Sequence, residues 1–347
     1  MPSAADDIAA AIAAAGAIRF DRFVDLALYG PHGFYTTGGG AGRRGADFIT
    51  SPEVGPLFGA VLARALDAWW DELDRPDPFV VVDAGAGPGT LARSIVTAAG
   101  LCRGALRLTA VELSPAQRAR HHTSLASAAT MPDRAHVVIA NELLDNLPFR
   151  LLVFDDGWRE AHVASGTGSI DATRFVEVLR PLDVDVATLP WLPARAPHGA
   201  RVPWQQPAAD WVAAAVAAAP RVVVLDYVTA RTAAIALQPW REWLRTYRGH
   251  ERGGHYLAEP GEQDITAQVA LDQLPEPDAV RSQAQFLQRW GIDALVDEGR
   301  AAWTAAAAAP TVADLAMRSR VREADALLDP AGLGAFTAVE WHRGSSR

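Results

Sequence analysis

Three glycines at alternate positions follow an apolar run, and their spacing is the strongest chemical signal in the sequence. Residues 79–82 form the run, and Gly85, Gly87 and Gly89 come shortly after it. Glycine lets the backbone turn tightly and approach a ligand where a Cβ atom would intrude. A buried strand that leads into a glycine-rich turn and then a helix is typical of a nucleotide-like cofactor site in an α/β protein.

The spacing also distinguishes two classes of cofactor. A dinucleotide fingerprint has its third glycine three positions after the second, and Thr90 stands at that position. The pattern here is Gly-x-Gly-x-Gly, with Asp83 two residues before the first glycine. The strand ends in an acidic residue, and the turn after it has no loop of the size that a diphosphate needs. These two features suit S-adenosylmethionine (SAM), whose charged group is an amino acid. We therefore predict SAM as the cofactor, with Asp83 and the three glycines in its site.

A second apolar strand, predicted over residues 106–113, carries Glu112 near its end. In a doubly wound sheet the next strand presents a carboxylate at about this position to two ribose hydroxyls. The alternative is an ordinary surface glutamate after a strand. Because the glycine turn precedes it, we assign Glu112 to the ribose.

A third segment, residues 135–148, is again an apolar strand that ends in polar residues. It contains both asparagines of the chain, Asn141 and Asn146, in a sequence that has no lysine. Asn141, Glu142 and Asp145 are expected at the carboxyl edge of the sheet, where open α/β folds bind ligands. A capping role for Asn141 or Asp145 is the alternative, but it explains one polar residue and not three.

With these motifs, the chain resembles the MidA family of SAM-dependent methyltransferases, which includes the mitochondrial arginine methyltransferase acting in respiratory complex I assembly. The similar segments are residues 18–35, 47–59, the glycine turn, 140–148, 247–269 and 283–292. The sequences DFITSPE and ANELLDNLP are specific to the family, whereas the glycine turn is common to many methyltransferases. Ala60 and Val228 depart from the glutamate and glycine that family members often carry.

The resemblance implies a protein arginine methyltransferase whose substrate is a complex I-type subunit. A guanidinium is a poor nucleophile because it is charged and delocalised, and a pair of carboxylates would orient it and localise its charge. We assign this role to Glu142 and Asp145, with Asp226 and Asp264 as second choices. For Asp264, a cap or turn residue is an equal alternative.

Five further residues are predicted to contact the cofactor. Thr50, Ser51, Pro52 and Glu53 would close over the methionine end of SAM, and Asn141 would join them. The first four also suit the cap and first turn of a helix that begins near Pro52, where Glu53 is favourable to the helix dipole. The two interpretations are compatible.

Composition excludes several other classes. The formal net charge is -9 with no basic run, so we expect no nucleic-acid partner. Cys102 is the only cysteine, which excludes an internal disulfide and a cysteine metal cluster. The absence of lysine excludes P-loop nucleotidases and Schiff-base enzymes, and the nine histidines show no metal spacing. We expect no metal, no membrane insertion and a cytoplasmic location.

We predict an α/β fold: a Rossmann-like class I methyltransferase sheet with an N-terminal helical lobe and a helical and loop insertion. The predicted segments are an N-terminal lobe with a cofactor-covering loop (1–78), the core with a hairpin (79–232), a substrate-side insertion (233–325) and a closing strand (326–347). Two other functions stay open: a methyltransferase-fold assembly chaperone without turnover, and a small-molecule methyltransferase. The sequence leaves the oligomeric state open, a homodimer being one option.

Overall fold

The computed structural model describes residues 1–40, 50–166, 174–249 and 251–342. Within these residues the helices are α1 (Ala4–Ala15), α2 (Phe20–Tyr29), α3 (Ser51–Val54), α4 (Pro56–Glu72), α5 (Thr90–Ala98), α6 (Pro115–Arg118), α7 (Gln206–Ala218), α8 (Thr232–Ile235), α9 (Trp240–Trp243), α10 (Gln283–Arg289), α11 (Ile292–Ala305) and α12 (Val312–Leu328). The predicted cofactor-covering loop runs from Gly30 to Pro52, and its residues 41–49 lie outside the described residues.

The strands are short and spread along the chain. They are β1 (Ile18–Arg19), β2 (Phe79–Ala84), β3 (Leu106–Val111), β4 (Ala126–Ala128), β5 (Val137–Asn141), β6 (Arg150–Phe154), β7 (Trp158–Ser165), β8 (Phe175–Pro181), β9 (Arg201–Trp204), β10 (Arg221–Asp226), β11 (Val228–Thr229), β12 (Leu244–Arg248), β13 (Glu251–Arg252), β14 (Asp264–Ala267), β15 (Val269–Ala270), β16 (Ala279–Ser282) and β17 (Thr337–His342).

The chain divides into two compact units that alternate along the sequence. The companion unit comprises Met1–Phe48, Leu143–Ala214 and Tyr227–Glu276, and the sheet unit comprises Ile49–Glu142, Ala215–Asp226 and Pro277–Arg347. The functional division into segments 1–78, 79–232, 233–325 and 326–347 stays a prediction.

The sheet unit contains a seven-stranded sheet in the order β16-β17-β10-β5-β2-β3-β4. The five strands from β10 to β4 are parallel, whereas β17 is antiparallel to both β10 and β16. The order reverses between β2 and β5, and in open α/β sheets ligands bind at the carboxyl ends of the strands beside this reversal. This is the Rossmann-like sheet that the sequence predicts, with β17 as the predicted closing strand.

The core of the sheet unit is built from the inner faces of β2, β5 and β10 and the helices that cover them. Its largest buried side chains include Phe58, Trp69, Phe79 and Phe286, each fully buried. Burial of one such side chain stabilises the fold by about 1.5–3 kcal/mol. The site loops therefore follow strands that are anchored in this core.

The companion unit has its own sheet, in the order β1-β7-β6-β9, with β8 also paired to β7. Alternating apolar residues on both sides of the turn pair Asp156-Gly157 predict the hairpin within residues 149–163. The hairpin is confirmed: β6 and β7 pair antiparallel, and the Asp155 N–H donates to the Gly157 carbonyl at 2.8 Å. The segment 233–325, predicted as helices and loops, also contains β12 to β16. Strands of two to five residues carry too few alternating positions to be recognised in the sequence.

Candidate functional site

The predicted glycine turn connects β2 to α5 in the sheet unit. Gly85, Gly87 and Gly89 have φ angles of 69°, 51° and 79°, a region that residues with a Cβ atom rarely adopt. A Cβ atom on Gly87 would meet nothing within 4 Å, whereas one on Gly89 would lie 3.1 Å from Cδ2 of His121. Gly87 therefore borders open space at the position where a cofactor is expected, and Gly89 is closely packed.

Asp83 is the penultimate residue of β2, and its side chain is buried. Its Oδ2 accepts a hydrogen bond of 3.1 Å from the backbone N–H of Ala92, in the first turn of α5. Burial, with a smaller contribution from the charge of Glu112, raises the pKa of Asp83 to about 7 against the opposing effect of the Ala92 N–H. In this geometry Asp83 fixes the start of α5 to the strand. Its contact with the cofactor stays a prediction.

Glu112 follows β3 directly and is bonded to the glycine turn. Its Oε2 accepts from the Gly87 N–H at 2.9 Å, and its Oε1 accepts from the Ser114 N–H at 2.8 Å. Burial raises the pKa of Glu112, and the two N–H donors oppose that rise. Each carboxylate oxygen has a second lone pair, so the side chain is also able to accept hydroxyl donors. These features fit the predicted ribose role.

Asn141 ends β5 at the same sheet edge. Its Nδ2 donates to Oε1 of Glu142 at 3.0 Å, and its buried Oδ1 has no hydrogen-bond partner among the described residues. A buried acceptor without a partner costs about 1–3 kcal/mol, which a bound donor would recover. SAM carries such a donor in its amino group. The arrangement fits the predicted contact between Asn141 and the cofactor.

Glu142 has a left-handed backbone, with φ of 52°, although it is not a glycine. Its N–H donates to the Leu225 carbonyl at 2.8 Å, which places Glu142 beside the end of β10, where Asp226 is fully buried. Two of the four predicted catalytic carboxylates are thus on neighbouring strand ends of the sheet unit. A strained non-glycine residue at a sheet edge is typical of functional sites.

Thr50, Ser51 and Pro52 begin α3 in the sheet unit, with Thr50 at the N-cap position. Ser51 is fully buried: its N–H lies 3.4 Å from Oε1 of Glu142, and its hydroxyl donates to Oε1 of Gln283 at 3.0 Å. The predicted helix start is confirmed. The contact with Glu142 places this turn at the predicted site, and its role in holding SAM stays a prediction.

The other two predicted carboxylates belong to one buried network in the companion unit. Oδ1 of Asp264 accepts from the Tyr35 hydroxyl at 2.9 Å and from Nδ2 of Asn146 at 3.1 Å, and the Thr266 hydroxyl donates to Oδ2 of Asp145. Burial, together with the charge of Asp145, raises the pKa of Asp264 to about 7, and the hydrogen bonds from Tyr35 and Asn146 oppose this rise. Asp264 is the first residue of β14, and both of its predicted roles, guanidinium ligand and cap or turn residue, stay predictions.

Three residues that contact the predicted site residues were not assigned from the sequence. His121 contacts the glycine turn, Gln283 holds Ser51, and Tyr35 bonds Asp264. Gln283 and Tyr35 lie in segments of the family resemblance but carried no individual signal. His121 stands in a polar stretch after β3, and only the fold brings it to Gly87.

Two further properties bear on function. Among the described residues no group of three or more His, Cys, Asp or Glu side chains is arranged to hold a metal ion. No helix in the described ranges is long and apolar enough to cross a membrane.

Three features define the class of this protein: the strand order, the glycine turn beside the point where that order reverses, and Glu112 directly after β3. Proteins of this class are α/β proteins that bind a nucleoside cofactor. A family model described as "Putative S-adenosyl-L-methionine-dependent methyltransferase" matches residues 61–288. The chain belongs to this family of methyltransferases. Its cofactor is SAM, and the open position at Gly87 and the buried acceptor of Asn141 fit that group.

Solved structures and curated proteins agree with this assignment. A crystal structure from Burkholderia thailandensis, bound to S-adenosyl-homocysteine, is 27% identical with a TM-score of 0.82, and covers 99% of this chain and 92% of its own. The protein arginine methyltransferase NDUFAF7 homolog, mitochondrial, of Drosophila melanogaster is 29% identical over 54% of this chain and 51% of its own length. Its Danio rerio counterpart is 27% identical over 50% of each. The chain thus spans about half the length of these curated relatives.

Proposed function

We propose that this SAM-dependent methyltransferase modifies an arginine side chain of a protein substrate. The names of the Drosophila melanogaster and Danio rerio relatives, both protein arginine methyltransferases, support this choice. As the substrate we propose a subunit of a respiratory complex I-type enzyme, the target that the family resemblance implies. We propose a cytoplasmic location for the reaction.

The observation that carries the proposal is the carboxylate of Glu142 on a strained backbone at the cofactor edge of the sheet. Strain of this kind costs about 1–3 kcal/mol and persists where the surrounding structure holds a side chain in a required position. Asn141 and Ser51 both donate to its Oε1. The side chain is therefore oriented before any substrate binds.

Bound SAM supplies a methyl group that its sulfonium already activates, so the protein has to orient the acceptor and exclude water. Glu142 and Asp145 would bind the guanidinium ionically and favour localisation of its charge on the attacking nitrogen. Asp226 and Asp264 remain the second choices. Gly85, Gly87, Gly89, Glu112 and Asn141 would hold the cofactor, with Thr50, Ser51, Pro52 and Asp83 around them.

The test replaces each proposed guanidinium ligand by its amide. In Glu142→Gln the amide oxygen still accepts from Asn141 and Ser51, and in Asp145→Asn it still accepts from Thr266. We expect SAM affinity to change less than about threefold while methyl transfer falls by at least about 100-fold, because only the charge is lost.

Binding is measured by calorimetry, and transfer by labelled methyl incorporation into extract that lacks the endogenous enzyme. The exposed residues Glu298 and Asp297 provide matched controls, Glu298→Gln and Asp297→Asn, which should keep full activity. Full transfer by both site variants would refute the proposed pair and move the search to Asp226 and Asp264. SAM binding without transfer by the wild type would favour an assembly chaperone.

A further inference from the structure

Both backbone polar groups of Gly87 are held by side chains of the sheet unit. Its N–H donates to Oε2 of Glu112 at 2.9 Å, and its carbonyl oxygen lies 2.8 Å from Nε2 of His121. The other ring nitrogen of His121, Nδ1, lies 2.8 Å from the Ser127 hydroxyl on β4. The central glycine of the turn is thus connected to the edge strand of the sheet through one imidazole.

The hydrogen-bond partners of His121 determine which of its ring nitrogens donates and which accepts. A carbonyl oxygen only accepts hydrogen bonds, so Nε2 must carry the proton. In the neutral ring Nδ1 then accepts from the Ser127 hydroxyl, which fixes the orientation of the ring. The ring also packs against Gly89, where an added Cβ atom would lie 3.1 Å from Cδ2 of His121. His121 therefore contacts two of the three glycines in the turn.

We propose that His121 is a positioning residue for SAM, acting through the glycine turn. Glycine loses more conformational freedom on ordering than any other residue, so a turn with three glycines is costly to order when a ligand binds. By holding the Gly87 carbonyl while Glu112 holds the N–H, His121 fixes the turn in advance and lowers that cost. This inference rests on the proposed placement of SAM at the glycine turn.

His121→Leu removes the donor but keeps an apolar side chain of similar reach. We expect it to weaken binding of SAM and S-adenosyl-homocysteine roughly 3- to 10-fold, the effect of one net hydrogen bond. The KM for SAM should rise by the same factor, with kcat at saturating SAM unchanged. His121→Gln carries an Nε2 donor and should restore most of the affinity. Ser127→Ala, which frees the ring to rotate, should give an intermediate loss.

The neighbouring His122 provides the matched control. It is exposed and contacts the Ser124 hydroxyl at 2.7 Å, so His122→Leu should bind SAM like the wild type. Calorimetry with S-adenosyl-homocysteine measures all four variants, and circular dichroism confirms their folding.

Wild-type affinity in His121→Leu, or in Ser127→Ala if the leucine variant does not fold, would overturn the inference. Equal weakening in His121→Leu and His121→Gln would also overturn it, since packing rather than the hydrogen bond would then be responsible. The deciding readout is the calorimetric affinity for the cofactor, so a failure of the arginine proposal leaves this result unaffected. Failure of the wild type to bind either probe would instead remove the assumed SAM site.

Discussion

Replacement of Glu112 by alanine is expected to reduce SAM affinity strongly. The carboxylate already accepts the Gly87 and Ser114 N–H groups at 2.9 and 2.8 Å, and we propose that it also accepts the ribose hydroxyls. Loss of hydrogen bonds to a charged group costs about 1.5–3 kcal/mol, which corresponds to about 10- to 160-fold in the dissociation constant. The Gly87 N–H also loses its acceptor, so the turn must be ordered again on binding.

The structure changes the expectation for glutamine at this position. From the sequence alone Glu112→Gln is the milder change, because an amide oxygen still accepts. However, each carboxylate oxygen faces a backbone N–H, so the NH₂ group of glutamine would face one of these two donors. An unsatisfied, partly buried donor costs about 1–3 kcal/mol. We therefore expect Glu112→Gln to approach the alanine variant in its loss of affinity.

The assay is calorimetric titration with S-adenosyl-homocysteine, together with thermal unfolding to confirm that each variant is folded. Glu298→Ala is the control, because Glu298 is exposed and forms a surface ion pair with Arg64. If Glu112→Ala bound the probe within twofold of the wild type, the ribose assignment would be refuted, and Glu112 would only accept the Gly87 and Ser114 N–H groups.

Three other changes test separate parts of the structure. Gly87→Val should fold, with a free energy of unfolding lower by about 1–2 kcal/mol because φ at this position is 51°. It should lose SAM binding measured by calorimetry. Gly104→Val, where an added Cβ atom also meets open space, is the control and should bind SAM normally. Glu323→Ala should lower the unfolding free energy in urea by about 1–3 kcal/mol, because it leaves the Leu57 N–H at the start of α4 without its 2.8 Å acceptor; an unchanged value would contradict this. Burial raises the pKa of Asp83 to about 7, so the folded state retains that proton more tightly than the unfolded chain. The contribution of Asp83 to stability is complete below about pH 4 and is lost as the pH rises through about 7. Asp83→Asn should therefore flatten the dependence of the unfolding free energy on pH between these values, as measured by urea unfolding at each pH.

The parts of the fold that the sequence predicts are those with strong local signals. The strand before Gly85 is a continuous apolar run buried on both faces, and the turn at Asp156 combines a strong turn pair with alternating neighbours. The positions of Glu112 and Asn141 could also be predicted, because each stands at the end of a recognisable strand. In a parallel sheet, strand ends meet at one edge, so sequence position indicates spatial position.

The remaining contacts depend on long-range packing that local patterns do not encode. His121 reaches Gly87 across 34 positions, and Ser51 reaches Gln283 across 232. The strands within residues 233–325 are too short to show periodicity. The strain at Glu142 was also invisible in the sequence, because a positive φ at a glutamate is imposed by its surroundings and not by the residue type.

Transfer of labelled methyl from SAM, followed by identification of the modified residue, tests the proposed reaction. Wild-type protein and Gly87→Val are incubated with extract that lacks the endogenous enzyme, and labelled proteins are mapped by mass spectrometry. We predict label on arginine side chains of a protein with the wild type and none with Gly87→Val. Label confined to small molecules or to other side chains, or SAM binding with no transfer to any protein, would contradict the assignment as a protein arginine methyltransferase.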